Sequence, residues 1–388
     1  MVALLVFGVT LLAAVLISEL ADRTIVSTAV LFLLAGVAVG GGGFGLIRLE
    51  PDSPVVGHLA NYALVAVLFT DGMKLGWGRL RSAWVLPGRA LLLGLPLTML
   101  ATALLAHFVA GLSWLDAWLV GAVLCPTDPV FAAAIVGREG VSRRLRHLLN
   151  VESGLNDGLA LPIVLGILAV GGVAERSLGL HVVELAGGCA LGVAVAGGAL
   201  WVARLRFFGI ARSHEPFLLV AIGLMVFALA PLVHANPFLA AFSAGVTIAT
   251  MRPEETEENN AFAEQTAELL KLGAVLVFGA LITPQLLHAV PWTGYVFAVL
   301  SLVVARPIAL GLALVGGKLT GREKVAAMWF GPKGFASVIY GLMVLNSGVA
   351  GAVRSFNLVA IVVAGSILAH SSTDVVVARW LEPKAKAT

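Results

Sequence analysis

Charge is what this 388-residue chain has least of: 12% of its residues are Asp, Glu, Lys or Arg, against roughly 25% in an ordinary soluble domain. With 59% hydrophobic residues, the chain reads as a polytopic membrane protein. Cysteine is scarce too, and Cys125 and Cys189 both lie in apolar runs, which excludes a secreted disulfide scaffold. No glycine-rich phosphate loop is present, which argues against an ATP-driven pump. The eight histidines fall at no metal-ligand spacing and no nucleophile motif accompanies them, so neither a transition-metal site nor hydrolase chemistry is expected. No filter-like loop marks a channel. The chain is therefore expected to be no enzyme, to need no cofactor and to bind no nucleic acid. The first apolar run, Val2 to Ile17, lacks a basic leader and a small-residue cleavage site, and is expected to stay as a membrane span.

What is present is apolar sequence and glycine; the 44 glycines suit membrane helices that approach closely. Runs long enough to cross a hydrocarbon layer of roughly 30 Å number thirteen: about 2–18, 25–42, 55–70, 84–109, 114–136, 148–170, 182–202, 216–233, 236–250, 272–287, 292–315, 325–345 and 356–376. If these spans alternate, twenty of the 25 basic residues fall on one side, Arg143, Arg144 and Arg146 among them, and only Arg48, Arg176 and Arg354 on the other. The positive-inside rule then puts the N-terminus outside and the C-terminus in the cytoplasm. The fold expected is a single all-α transporter domain, 1–388, of about thirteen transmembrane helices. The one acidic stretch, from Glu254 to Glu268, reads as a solvated loop or surface helix, with a pH-sensing element as the alternative.

Two short polar clusters interrupt the apolar chain, Pro126-Thr127-Asp128-Pro129 and Glu152-Ser153-Gly154-Leu155-Asn156-Asp157-Gly158. A proline cannot sit inside a continuous helix, so span five should break at Pro126 and Pro129. Span twelve carries Gly331-Pro332-Lys333-Gly334 in its first half. Two breaks seven spans apart suit an inverted repeat of 1–170 on 216–376, with 182–202 as linker, a short tail 377–388, and two crossed discontinuous helices. If the second cluster is helical, Glu152, Ser153, Asn156 and Asp157 fall within an arc of about 140°. A polar arc beside a broken helix in apolar surroundings looks like an ion site.

Each polar group then has a reading. Asp128 would neutralise the positive half-helix ends. Lys333 either offsets the negative ends or snorkels to the surface. Arg306, fourteen residues into its span and before Pro307, needs a carboxylate, and Glu152 is the expected partner. Asp157, with the neutral Asn156 beside it, is the carboxylate for which a proton and a metal ion would compete. Ser153 and Thr127 add oxygens that suit a hard cation such as sodium. Asp71 lies at the cytoplasmic end of span three, either lining an ion funnel or facing water.

These two clusters, with Arg306 and Gly331-Pro332-Lys333-Gly334 following in order, resemble the paired signature of the NhaP-type sodium/proton antiporters and the related animal exchangers. The resemblance covers nearly the whole chain. It implies a homodimeric antiporter of the cytoplasmic membrane with thirteen spans in an inverted repeat. The residue matching Asp157 would bind cation or proton, supported by those matching Asp128, Thr127 and Ser153. Asn156 stands where electrogenic relatives carry a second aspartate, which implies one proton per sodium. The residues matching Glu152 and Arg306 would pair. Lys333 departs from the family's usual Gly-x-Arg-Gly, and Asp71 from its usual glutamate. Sodium/proton exchange, with lithium as a second substrate, is the expected activity; potassium/proton exchange of the same design and, further off, sodium-coupled organic-anion symport are the alternatives.

Overall fold

The computed structural model describes residues 2–18, 27–51, 53–75, 84–128, 140–171, 178–205, 210–211 and 214–381. Among these the chain is helical, with no strand. In chain order the helices are α1 (Val2–Leu16), α2 (Thr28–Val39), α3 (Pro54–Lys74), α4 (Val85–Phe108), α5 (Trp114–Leu124), α6 (Arg143–Val170), α7 (Leu178–Ala203) and α8 (Glu215–Leu232). They continue with α9 (Pro237–Met251), α10 (Pro253–Leu281), α11 (Pro284–Ala289), α12 (Trp292–Ala313), α13 (Gly321–Trp329), α14 (Phe335–Leu345) and α15 (Ala352–Leu381). Seven of the described helices are long and apolar enough to cross a bilayer: α3, α4, α6, α7, α8, α12 and α15. The apolar helices α1, α2, α5, α9 and α14 are shorter.

Local sequence accounts for most boundaries. Ser27, Ser113, Thr283 and Thr320 each cap the helix that follows by accepting a backbone N–H on the side-chain oxygen, the arrangement that relieves the unpaired first turn. Pro284 corrects the expected span over 272–287. The helix ends at Leu281, and a separate short helix starts at the proline, because a proline inside the run would remove a backbone donor and clash with the preceding turn. The same helix begins at Pro253, so the acidic stretch and the following apolar run form one continuous element.

α4 and α12 share an irregularity. Each contains a π-helical turn, Ala90–Gly94 and Ser301–Ala305, and each turn is followed by a proline, Pro96 and Pro307. A proline withholds the N–H that the carbonyl four residues earlier would accept, and its ring crowds that carbonyl. Leu92 and Val303 are those residues, and a widened turn is the local relief. Arg306 is the residue immediately after the second bulge.

The chain divides into two compact units. The first comprises Met1–Gly57, Val85–Asn156 and Leu272–Thr388. Within it, α2 and the end of α10 pack backbone to backbone: a Cβ on Gly36 would overlap the Leu276 carbonyl, and one on Gly279 the Leu33 carbonyl. α13 is anchored by a capping box between Thr320 and Glu323. Burial alone would raise the Glu323 pKa, but hydrogen bonds from Ser142 and Thr320 and the charge of Arg144 outweigh it and hold the carboxyl below its ordinary value. A depressed carboxylate contributes stability above the ordinary glutamate pKa and loses it as pH falls through the lowered value.

The second unit comprises His58–Trp84 and Asp157–Lys271. Its tightest contact is α7 against α9, where a Cβ on Gly192 would meet the Ala240 carbonyl and the Ser243 hydroxyl. α3 meets α9 the same way, through Gly72 and Gly245.

Gly279→Leu should therefore do more than fill space. It drives a side chain into the Leu33 backbone, at a cost of about 1–3 kcal/mol or more. The expected result is a lower melting temperature of the detergent-purified protein. An unchanged melting temperature would contradict this close approach.

Candidate ion site at two helix breaks

α5 stops at Leu124, and residues 126–128 are not helical. Likewise α13 stops at Trp329 and α14 begins at Phe335, leaving 330–334 extended or irregular. The non-helical residues 126–128 and 330–334 both belong to the first unit and lie against each other: the Asp128 N–H donates to the Pro332 carbonyl at 2.9 Å. A break among apolar residues frees backbone groups that must find partners. The Phe330 carbonyl accepts from Arg306 Nη2 at 2.9 Å. The Phe335 N–H donates to Asp128 Oδ2 at 3.4 Å. The Lys333 N–H donates to Ser366 Oγ at 2.6 Å, and the Pro126 carbonyl accepts from Lys333 Nζ at 3.5 Å.

Charges follow helix polarity. The Asp128 carboxylate caps the N-terminus of α14, while the Lys333 ammonium sits by the carbonyl just past the C-terminus of α5. Both placements are the favourable ones for the helix dipole. Lys333 is 1% exposed, which overturns the snorkelling alternative. The glycines flanking it make room for charge: a Cβ on Gly331 would collide with the Arg306 guanidinium, and one on Gly334 with the Asp128 carboxylate.

α6 is a single helix through the second polar cluster, and Glu152, Ser153, Asn156 and Asp157 are all buried. Glu152 Oε1 accepts from Arg306 Nη1 at 2.8 Å, so the guanidinium joins α6 to the break after α13. Asn156 donates from Nδ2 to Thr127 Oγ1 at 2.7 Å and to the Thr127 carbonyl at 3.3 Å. The carbonyl can only accept, which fixes the amide orientation. Thr127 Oγ1 is also 3.3 Å from Ser153 Oγ. The Thr127 carbonyl, which lies past the end of α5, is thus engaged by Asn156. Asp157 follows on α6, 5% exposed, one turn beyond Ser153.

Asp71 lies in the second unit. α3 runs to Lys74, past the expected end at residue 70, so Asp71 is inside a helix and 6% exposed, which overturns the water-facing alternative. Its Oδ1 pairs with Lys74 Nζ at 3.3 Å, and Lys74 reaches Glu264 at 3.9 Å.

Sequence reading missed Ser366 and His370. Like the other histidines, His370 falls at no metal-ligand spacing. The available signal was different: two polar residues four apart inside an apolar run, where each needs a partner.

The family model described as sodium/hydrogen exchanger, transmembrane, matches residues 8–380. The chain belongs to this family. It is a multi-pass membrane protein of a transporter family, not an enzyme family. The K(+)/H(+) antiporter NhaP of Alkalimonas amylolytica is 28% identical over 390 residues, covering 98% of this chain and 67% of that protein. The K(+)/H(+) antiporter NhaP2 of Shewanella oneidensis is 26% identical, covering 94% of this chain and 64% of that one. The chain thus spans about two thirds of the length of these relatives. Its fold is similar to the solved structure of the sodium proton antiporter MjNhaP1 from Methanocaldococcus jannaschii, with a TM-score of 0.77, 19% identity and 99% of each chain covered.

Glu152→Gln leaves the Arg306 guanidinium buried without its counter-charge, which should cost about 3–5 kcal/mol. Thermal unfolding of the purified variant checks this. A loss below about 1 kcal/mol, the range of an exposed pair, would mean the pair is not buried as described.

Proposed function

We propose that this chain is a secondary active monovalent cation/proton antiporter that exchanges the two ions at Asp157 by alternating access. The observation that carries the reading is the buried oxygen cluster of Thr127 and Ser153, organised by Asn156, one turn before the buried Asp157 on an unbroken helix. A carboxylate buried beside hydroxyl oxygens is a site that either a proton or a hard cation can occupy. Asn156 contributes an amide where a second acid would add charge, so one proton leaves for each cation bound. Glu152 and Arg306 hold the helix to the break, and Asp128 and Lys333 offset the helix ends. Asp71 is read as an ion-funnel residue at the cytoplasmic end of its span.

The same reading carries thirteen crossings, an outside N-terminus, a cytoplasmic C-terminus, an inverted repeat of 1–170 on 216–376 about the linker 182–202, crossed breaks, and a homodimer in the cytoplasmic membrane. Sodium is the first cation, with lithium accepted. Potassium is the second reading, favoured by the relatives named as potassium/proton antiporters.

Proteoliposomes with an imposed pH gradient test this. Adding sodium, lithium or potassium in turn should release the gradient for at least one of them, with no effect of a clamped membrane potential. The half-maximal cation concentration should rise as pH falls. Asp157→Asn should abolish the response; a variant that still couples cation to proton movement would remove Asp157 from the mechanism.

A further inference from the structure

One helix face outside the two polar clusters binds the second break along its length. Ser366, His370 and Thr373 on α15 stand at i, i+4 and i+7, the spacing of one face. Ser366 Oγ accepts the Lys333 N–H at 2.6 Å. His370 Nε2 lies 3.1 Å from the Trp329 carbonyl, and Thr373 Oγ1 accepts Trp329 Nε1–H at 2.9 Å. Ser366 and His370 meet each other, with Ser366 Oγ 3.0 Å from His370 Nδ1. Both residues are buried.

His370 Nδ1 lies 2.9 Å from the Ser366 carbonyl as well as 3.0 Å from Ser366 Oγ, so either neutral tautomer ties the ring to Ser366, while a bond to the Trp329 carbonyl needs the proton on Nε2. In the Nε2–H tautomer, Ser366 Oγ takes the Lys333 N–H and gives its own proton to His370 Nδ1. The ring then carries its proton on Nε2 and donates it to the Trp329 carbonyl, a group that can only accept. A closed circuit results, running from Trp329 through the break to Lys333, across Ser366 and His370, and back to Trp329.

The circuit matters because the Lys333 head is held lightly. Among the described residues its head makes one hydrogen bond, at 3.5 Å to the Pro126 carbonyl, and a lysine head sits on a flexible four-carbon stem, without the planar fork by which arginine fixes itself. The position of its charge therefore depends on where its backbone is fixed.

We propose that Ser366 and His370 are positioning residues that strap the break at 329–333 to α15 and so set the Lys333 ammonium against the Pro126 carbonyl. The role in transport rests on the antiporter reading above; the strap itself does not.

The experiment uses the full chain with Ser366→Ala, Ser366→Thr, His370→Ala, His370→Gln and the Ser366→Ala/His370→Ala pair. Loss of one neutral hydrogen bond shifts a local equilibrium by about three- to tenfold. Amide hydrogen exchange across 330–334 should speed up by that factor in Ser366→Ala and return to wild-type protection in Ser366→Thr. In proteoliposomes the half-maximal cation concentration should move by about threefold or more in either alanine variant. The double variant should be no worse than the worse single one, because both break one circuit. If His370→Ala does not fold, His370→Gln replaces it in the transport arm: the glutamine amide still supplies a donor for the Trp329 carbonyl, and the half-maximal concentration should stay nearer the wild-type value than in Ser366→Ala. Unchanged exchange, additive effects, or a lower maximal rate at constant half-maximal concentration would overturn the proposal. If the wild type moves no protons with any cation, the antiporter reading fails, and the exchange result alone decides whether the strap exists.

Discussion

A helix broken inside apolar surroundings must have its freed backbone groups partnered, and that requirement organises the first unit of this protein. At 126–128 and 330–334 the partners come from each other and from three further helices. Asp128 gives its N–H to the Pro332 carbonyl. Arg306 reaches the Phe330 carbonyl, and Ser366 takes the Lys333 N–H. Each unpaired buried group would cost about 1–3 kcal/mol, so no member of this set can be changed in isolation without exposing another.

The second consequence is electrostatic. The breaks bring together two carboxylates, Asp128 and Glu152, and two cations, Arg306 and Lys333, all buried. Removing one member strands a charge, whereas the assembled set offsets itself. Gly331 and Gly334 are part of the same arrangement, since neither cation nor carboxylate would fit against a Cβ at those positions. Backbone shape, charge placement and helix packing are therefore one constraint.

How much of this could be read from the sequence depended on whether the signal was local. The end of α5 before Pro126 and the break at 330–334 were readable because proline and glycine act on their own backbone, the break expected at Pro129 lies outside the described residues, and each of the thirteen apolar runs does contain a helix. The need of Arg306 for a carboxylate followed from the cost of an unpaired intramembrane charge. Three features were hidden. The continuity of α10 joins an acidic segment to an apolar one, and hydrophobic runs register only the second. The burial of Asp71 depends on four extra residues of α3, and helix ends are the least determined part of any sequence reading. Ser366 and His370 act through backbone atoms of a segment more than thirty residues away, and nothing local marks such a partner.

The central claim is that a proton and a cation compete for one buried carboxylate on α6. Titration calorimetry of the purified protein, with sodium or potassium added in buffers of different ionisation enthalpy, counts the protons released on binding. Competition at a single site predicts release approaching one proton per cation where the site is protonated before binding, falling toward zero at higher pH. Saturable cation binding with no proton release at any pH would contradict it.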